Sequence, residues 1–88
     1  MPYRVAILPV ALRQLQALDA PARARVRSRI DDLAHNPRPQ GTKALQGDPG
    51  TLRLRVGDYR VLYRVEDDLL VVLVVTVGHR REVYRRRR

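Results

Sequence analysis

Residues Leu52–Tyr63 read LRLRVGDYRVLY. Leu52, Leu54 and Val56 alternate with Arg53 and Arg55. Beyond Gly57-Asp58, Tyr59, Val61 and Tyr63 alternate with Arg60, Leu62 and Arg64. Period-two alternation on both sides of a Gly-X pair predicts a β-hairpin with a two-residue loop of type II′. That loop pairs Val56 with Tyr59 and sets Arg55 directly opposite Arg60. Like charges directly opposite across a ladder destabilise it, so stability alone would favour a carboxylate at one of the two positions. Arg53 lies one step away on the same face. Together the three cations imply that something anionic belongs there.

Outward from the hairpin, Leu69–Val77 (LLVVLVVTV) is apolar on both faces. A strand of this kind is central, with a neighbour on each edge. Its neighbours are expected to be the second hairpin strand and the early strand Tyr3–Leu8, where Val5 and Ile7 share a face. From Pro9 the period becomes helical: Leu8, Leu12, Leu15 and Leu18 recur on one side, with Arg13, Gln14 and Gln16 outward. Asp19 suits an N-cap and Pro21 a first turn, which opens a second helix. Its stripe is Ala22, Val26, Ile30 and Leu33, and it ends near His35-Asn36, because Pro37 and Pro39 cannot continue it. Residues 36–50, NPRPQGTKALQGDPG, form the longest irregular stretch. The expected fold class is α+β: a two-helix hairpin packed on one face of a mostly antiparallel four-stranded sheet, β-α-α-β-β-β. The helix-facing side takes Leu52, Leu54, Val56, Tyr59, Val61 and Tyr63; the other presents Arg53, Arg55, Arg60 and Arg64. Leu62, beside those arginines, is expected to be exposed.

The 88 residues make a single domain, 1–88, closed by the basic tail Arg85–Arg88. Eighteen Lys and Arg against nine Asp and Glu give a formal charge of +9, which points to nucleic acid, an acidic protein or an anionic membrane as partner. All the basic residues are arginine except Lys43. A compositional bias accounts for most of this, while forked guanidinium donors suit phosphate at selected positions. There is no cysteine, which excludes disulfides, thiolate catalysis and zinc–thiolate sites. No signal peptide is expected, and the longest apolar run is too short to span a bilayer. The expected localisation is cytoplasmic, with no membrane partner.

The chain resembles the RelE/ParE superfamily of bacterial toxins. The resemblance rests on the early apolar strand, the helical hairpin, the turn Lys43-Ala44-Leu45-Gln46-Gly47, RLRVGDYRVLY at 53–63 and VGHRREVY at 77–84. It covers essentially the whole chain. It implies a type II toxin, RelE-like in preference: a ribosome-dependent endoribonuclease in which the 2′-hydroxyl of messenger RNA attacks the adjacent phosphate, with no metal and no cofactor. It implies three partners: the ribosome, messenger RNA, and a cognate RelB-like antitoxin that is acidic and partly disordered. Carried over residue by residue, the catalytic positions are Arg53, Arg55, Arg60, Arg80 and Tyr84. A ParE-like gyrase poison that cleaves nothing, and a non-catalytic relative, remain the alternatives.

One departure bears on the chemistry. RelE-like members often carry lysine on the first hairpin strand, where this chain has Thr51 and Arg53. Arginine does not deprotonate in proteins, so it stabilises charge but is a poor base. His79, Tyr84 and Glu82 are the candidates to move the proton, and an ordinary histidine titrates near neutrality. The bland readings are a strand-end histidine for His79 and an aromatic packing the tail for Tyr84. Arg23 and Arg27 on the second helix, with Lys43, Arg64 and Arg81, are candidate RNA-backbone contacts. For the arginines of that helix, Arg23, Arg25, Arg27 and Arg29, the alternative is a solvated polar face on which Asp31 and Asp32 partner some of them. His35, at a helix C-terminus, suits the helix dipole and is read as structural.

Overall fold

The computed structural model describes residues 2–79. In chain order the elements are β1 (Arg4–Ile7), α1 (Pro9–Gln16), α2 (Ala20–Asp32), β2 (Lys43–Leu45), β3 (Asp48–Val56), β4 (Tyr59–Glu66), a 3-10 turn (Asp67–Leu69) and β5 (Val71–His79). They form an α+β fold whose sheet runs β1-β5-β4-β3-β2. The β1–β5 pair is parallel, and the other pairs are antiparallel.

The hairpin expected from the alternation is present. Val56 pairs with Tyr59 and Arg55 with Arg60. Gly57 supplies φ +59° and Asp58 stays at negative φ, as a type II′ turn requires. The doubly apolar strand β5 is interior, between β1 and β4. On α2, Asp19 caps the first turn by accepting from the Ala22 amide at 3.0 Å. Ala22, Val26, Ile30 and Leu33 are all buried. Val26, Ile30 and Leu33 pack with Leu54, Val61, Tyr63, Val72 and Val74 into one core between helices and sheet.

Three expectations change. The sheet has five strands, not four. Within the Pro- and Gly-rich segment, Lys43 and Ala44 pair with Arg53 and Leu52. The register then jumps from Ala44–Leu52 to Leu45–Asp48, so Pro49, Gly50 and Thr51 fall in a bulge. A three-residue edge strand closed by a bulge is too short to show period-two alternation, which is why the sequence reads as loop.

The buried line of α1 is Ala11 and Leu15, with Leu18 partly buried; Leu8 and Leu12 keep 38% and 37% of their surface exposed. The cause is Gln14, expected to face outward. Strand β1 covers β5 only as far as Val74, and Gln14 Oε1 accepts the Val77 amide beyond it at 2.9 Å. Turning α1 to make that bond moves Leu8 and Leu12 to its flank.

Leu62 is fully buried rather than exposed. It sits mid-sheet between Arg53 on β3 and Thr76 on β5, with Arg60 and Arg64 two residues away along β4. Long arginine stems cover apolar surface while their charged heads stay wet.

Candidate functional site

The outer face of the sheet is organised in rows across the strands. One row is Arg55, Arg60 and Gly78; the next is Lys43, Arg53, Leu62 and Thr76. Two like-charge pairs therefore stand directly opposite each other, Arg55–Arg60 and Lys43–Arg53. The second pair escaped the sequence reading, because it needs the short strand β2.

Arg60 is the most unusual residue of the face. Its Nε and Nη1 are enclosed by the protein and, among the described residues, have no hydrogen-bond acceptor. A buried donor without a partner costs on the order of 1–3 kcal/mol, more when charged. On one side Arg60 meets Arg55, and on the other Gly78, which brings no side chain. A phosphate oxygen placed there satisfies the orphaned donors and relieves the repulsion together. Arg55 is exposed, and its Nε donates to the Gly57 carbonyl at 3.0 Å, which holds the guanidinium by the turn.

Arg64 differs from its neighbours. It donates to Thr51 Oγ1 at 3.2 Å and lies 3.7 Å from Asp48 and 3.8 Å from Glu66. Its guanidinium rests over Gly50, where a Cβ would come within 2.8 Å of Nη2. Thr51, itself buried, donates to Asp48 Oδ2 at 2.8 Å. Arg64 is thus tied into the β3 bulge, with its charge shared by two carboxylates.

His79 does not join the arginines. Gly78 pairs with Arg60, so the next residue projects from the opposite side of β5. There His79 pairs with Tyr59 and meets its ring edge-on, with centroids 6.1 Å apart. The strand alternation that brings Gly78 to the cationic face removes His79 from it. Arg23 and Arg27 lie on α2, on the helical side of the sheet. Arg23 donates to the carbonyls of Gln16 and Leu18 at the end of α1, and Arg27 pairs with Asp31 at 3.2 Å. Arg80, Arg81, Glu82, Tyr84 and the tail Arg85–Arg88 lie outside the described residues. Among the described residues no group of three or more His, Asp or Glu gathers as a metal site requires. No helix there is long and apolar enough to cross a membrane.

A second polar cluster sits at the other end of β4. Arg38 grips Asp67 with both terminal nitrogens, at 3.1 and 2.8 Å, and the Tyr3 hydroxyl donates to the same carboxylate at 2.7 Å. The hydrogen bonds from Arg38 and then Tyr3 lower the Asp67 pKa to about 2. The same carboxylate raises the pKa of the Tyr3 phenol. Nearby, the buried Tyr63 hydroxyl donates to the Pro37 carbonyl at 2.7 Å, and burial raises its pKa. These contacts fasten the 36–42 segment to the sheet. Their partners lie 26 to 64 positions apart in sequence, so no local pattern announces them.

Comparison with known proteins places this geometry. The family model described as the ParE toxin of the type II toxin–antitoxin system parDE matches residues 5–84. Toxin RelG of Mycobacterium tuberculosis is 37% identical over 89 residues, spanning 98% of this chain and 100% of the relative. The mRNA interferase toxin RelE of Escherichia coli is 33% identical over 78 residues, spanning 84% of this chain and 81% of that protein. Among solved structures, the toxin–antitoxin complex RelBE2 of M. tuberculosis contains a chain that superposes with a TM-score of 0.80 at 34% identity, covering 91% of this chain and all of that one.

Proposed function

We propose, from the premise that this chain belongs to the ParE toxin family of type II toxin–antitoxin systems, that it is a RelE-like endoribonuclease which cuts messenger RNA on the ribosome and arrests translation. The observation that carries this reading is Arg60. Its enclosed guanidinium, which finds no acceptor for Nε and Nη1 among the described residues and faces Gly78 and Arg55, is oriented before any ligand arrives. When the RNA 2′-hydroxyl attacks the neighbouring phosphate, negative charge grows on the non-bridging oxygens. Fixed donors oppose that charge at little reorganisation cost. Arg53 and Arg55 add charge from β3. Arg80 and Tyr84 enter through the family resemblance, as a further phosphate contact and a base-stacking or proton-relay group. Lys43 and Arg81 contact RNA backbone in this reading; Arg64 supports the face from its bulge.

The partners follow from charge and surface. A +9 chain needs masking when idle. The relative in the RelBE2 complex is found with an antitoxin, and we assign a cognate antitoxin here as well. An acidic, partly disordered, RelB-like segment would pair with the arginines and cover apolar surface. That surface lies on α1, where Leu8, Val10 and Leu12 are exposed, and not at Leu62. Charge complementarity makes its association rate fall with salt.

A second reading is kept because the matching family model is that of ParE: a gyrase poison that binds and cleaves nothing. One experiment separates the two. The chain is induced alone and messenger RNA 5′ ends are mapped, with DNA-damage reporters followed in parallel. New 5′ ends inside translated codons support the nuclease. Intact messages with an induced damage response support the gyrase poison and overturn the nuclease.

A further inference from the structure

The arginine face can stabilise a charged transition state, but none of its guanidinium groups can take the proton from the attacking 2′-hydroxyl. The described carboxylates near the face are occupied: Asp48 holds Thr51, and both Asp48 and Glu66 pair with Arg64. His79 is on the other side of the sheet, against Tyr59. Glu82 and Tyr84 lie outside the described residues, and Asp58 sits in the turn beyond the Arg55–Arg60 row. Among the described residues within the rows themselves, one group able to take a proton remains. Lys43, the sole lysine of the chain, sits on β2 directly opposite Arg53. It is exposed, and among the described residues its ammonium has no hydrogen-bond or ion-pair partner.

Building on the nuclease reading, we infer that Lys43 is the proton acceptor of the cleavage step, a lysine supplied by the edge strand in place of one on the hairpin. Directly opposed residues have Cβ atoms about 5 Å apart, so Lys43 and Arg53 rise side by side. Arg60 is two strands over and one two-residue step along β4, about 10 Å across and about 7 Å along. A phosphodiester held by Arg60 and Arg53 therefore has its ribose within the span of Lys43.

The neutral amine of Lys43 takes the 2′-hydroxyl proton. The 2′-oxygen forms its bond to phosphorus, and the bond from phosphorus to the 5′-oxygen breaks. That oxygen takes a proton from solvent water, and the ammonium returns its own to solvent. The products are a 2′,3′-cyclic phosphate and a 5′-hydroxyl. Arginine in place of Lys43 preserves the cation but not the proton transfer, which separates this role from simple phosphate anchoring.

The test is single-turnover cleavage on programmed ribosomes with wild-type, Lys43→Arg and Lys43→Cys chains, each checked for an unchanged melting curve. General bases contribute roughly 10²–10⁴-fold, so Lys43→Arg is expected to bind ribosomes normally and cleave on the order of 100-fold more slowly. Because the chain has no cysteine, Lys43→Cys can be aminoethylated at that one position. Restoring the amine should restore cleavage. A Lys43→Arg chain that cleaves at the wild-type rate, or an aminoethylated Lys43→Cys chain as slow as the untreated one, overturns the assignment and leaves the nuclease reading standing. A wild-type chain that cleaves nothing overturns both.

Discussion

Two arginines at opposite ends of one sheet have opposite fates. Arg38 is held by Asp67 through two short hydrogen bonds, with Tyr3 completing the carboxylate's shell. Arg60 has two nitrogens enclosed with no acceptor among the described residues and a like charge directly across the ladder. The first arrangement is complete within the chain and fastens a loop. The second finds no acceptor among the described residues, as a site waiting for an anion would. Self-sufficient polar clusters belong to the fold, whereas unsatisfied ones lower its stability and mark where a ligand supplies the missing partner.

The largest expected effect breaks this contrast at Arg60. Arg60→Ala should cost cleavage about 2–4 kcal/mol in transition-state stabilisation, the scale for losing a preorganised donor. Stability should hold or rise, since an unpartnered cation leaves the sheet. Single-turnover rates and urea midpoints on the same preparations measure both. A variant that unfolds readily yet still cleaves would reverse the roles assigned to the two ends.

The next effect tests the self-sufficient end. Tyr63→Phe removes the donor to the Pro37 carbonyl while leaving the buried ring in place. It should cost about 1 kcal/mol of stability and leave cleavage unchanged. Faster hydrogen exchange confined to residues 36–42 would locate the loss; an unaltered urea midpoint would show that the bond contributes nothing.

A smaller effect, of opposite sign, comes from the paired cations. Arg55→Glu turns a like-charge cross-strand pair into an attractive one. It should gain roughly 0.2–1 kcal/mol of stability while weakening ribosome binding and cleavage. A gain in one with a loss in the other is what a functional face predicts. A loss in both would mean that the Arg55 bond to the Gly57 carbonyl matters more to the turn than the repulsion does.

How much of this was legible in the sequence follows from the range of each interaction. The hairpin register, the α2 stripe and the interior position of β5 are written in local periodicity, and the structure has them all. The Arg55–Arg60 pairing followed from turn length alone. The strand β2 was not legible, because three residues cannot establish alternation and the bulge of Pro49, Gly50 and Thr51 hides the partner register. With β2 went the position of Lys43 opposite Arg53. The tilt of α1 depends on Gln14 finding an amide that β1 leaves unpaired, a contact 63 positions away. The displacement of His79 was derivable by counting from Gly57-Asp58 through β4 into β5, but only if Gly78 was known to face Arg60.

The smallest effect concerns Asp67, and its sign can be worked out in advance. The carboxyl titrates at about 2 in the fold against an ordinary value of 3.8. The folded state therefore binds this proton less readily than the unfolded chain does. The resulting stabilisation is fully present above pH 3.8 and is lost as the pH falls toward about 2. Both Arg38 and Asp67 are about half exposed, at 53% and 54% of their side-chain surface, so solvent and salt screen the pair and its contribution is modest. Urea midpoints taken down this window should fall more steeply for wild-type than for Asp67→Asn, whose amide has no proton to gain there. The two curves should converge at the acid end and draw closer throughout in high salt. Parallel curves would mean that Asp67 contributes nothing through its charge, and that the Tyr3 and Arg38 hydrogen bonds would hold the loop equally well on a neutral acceptor.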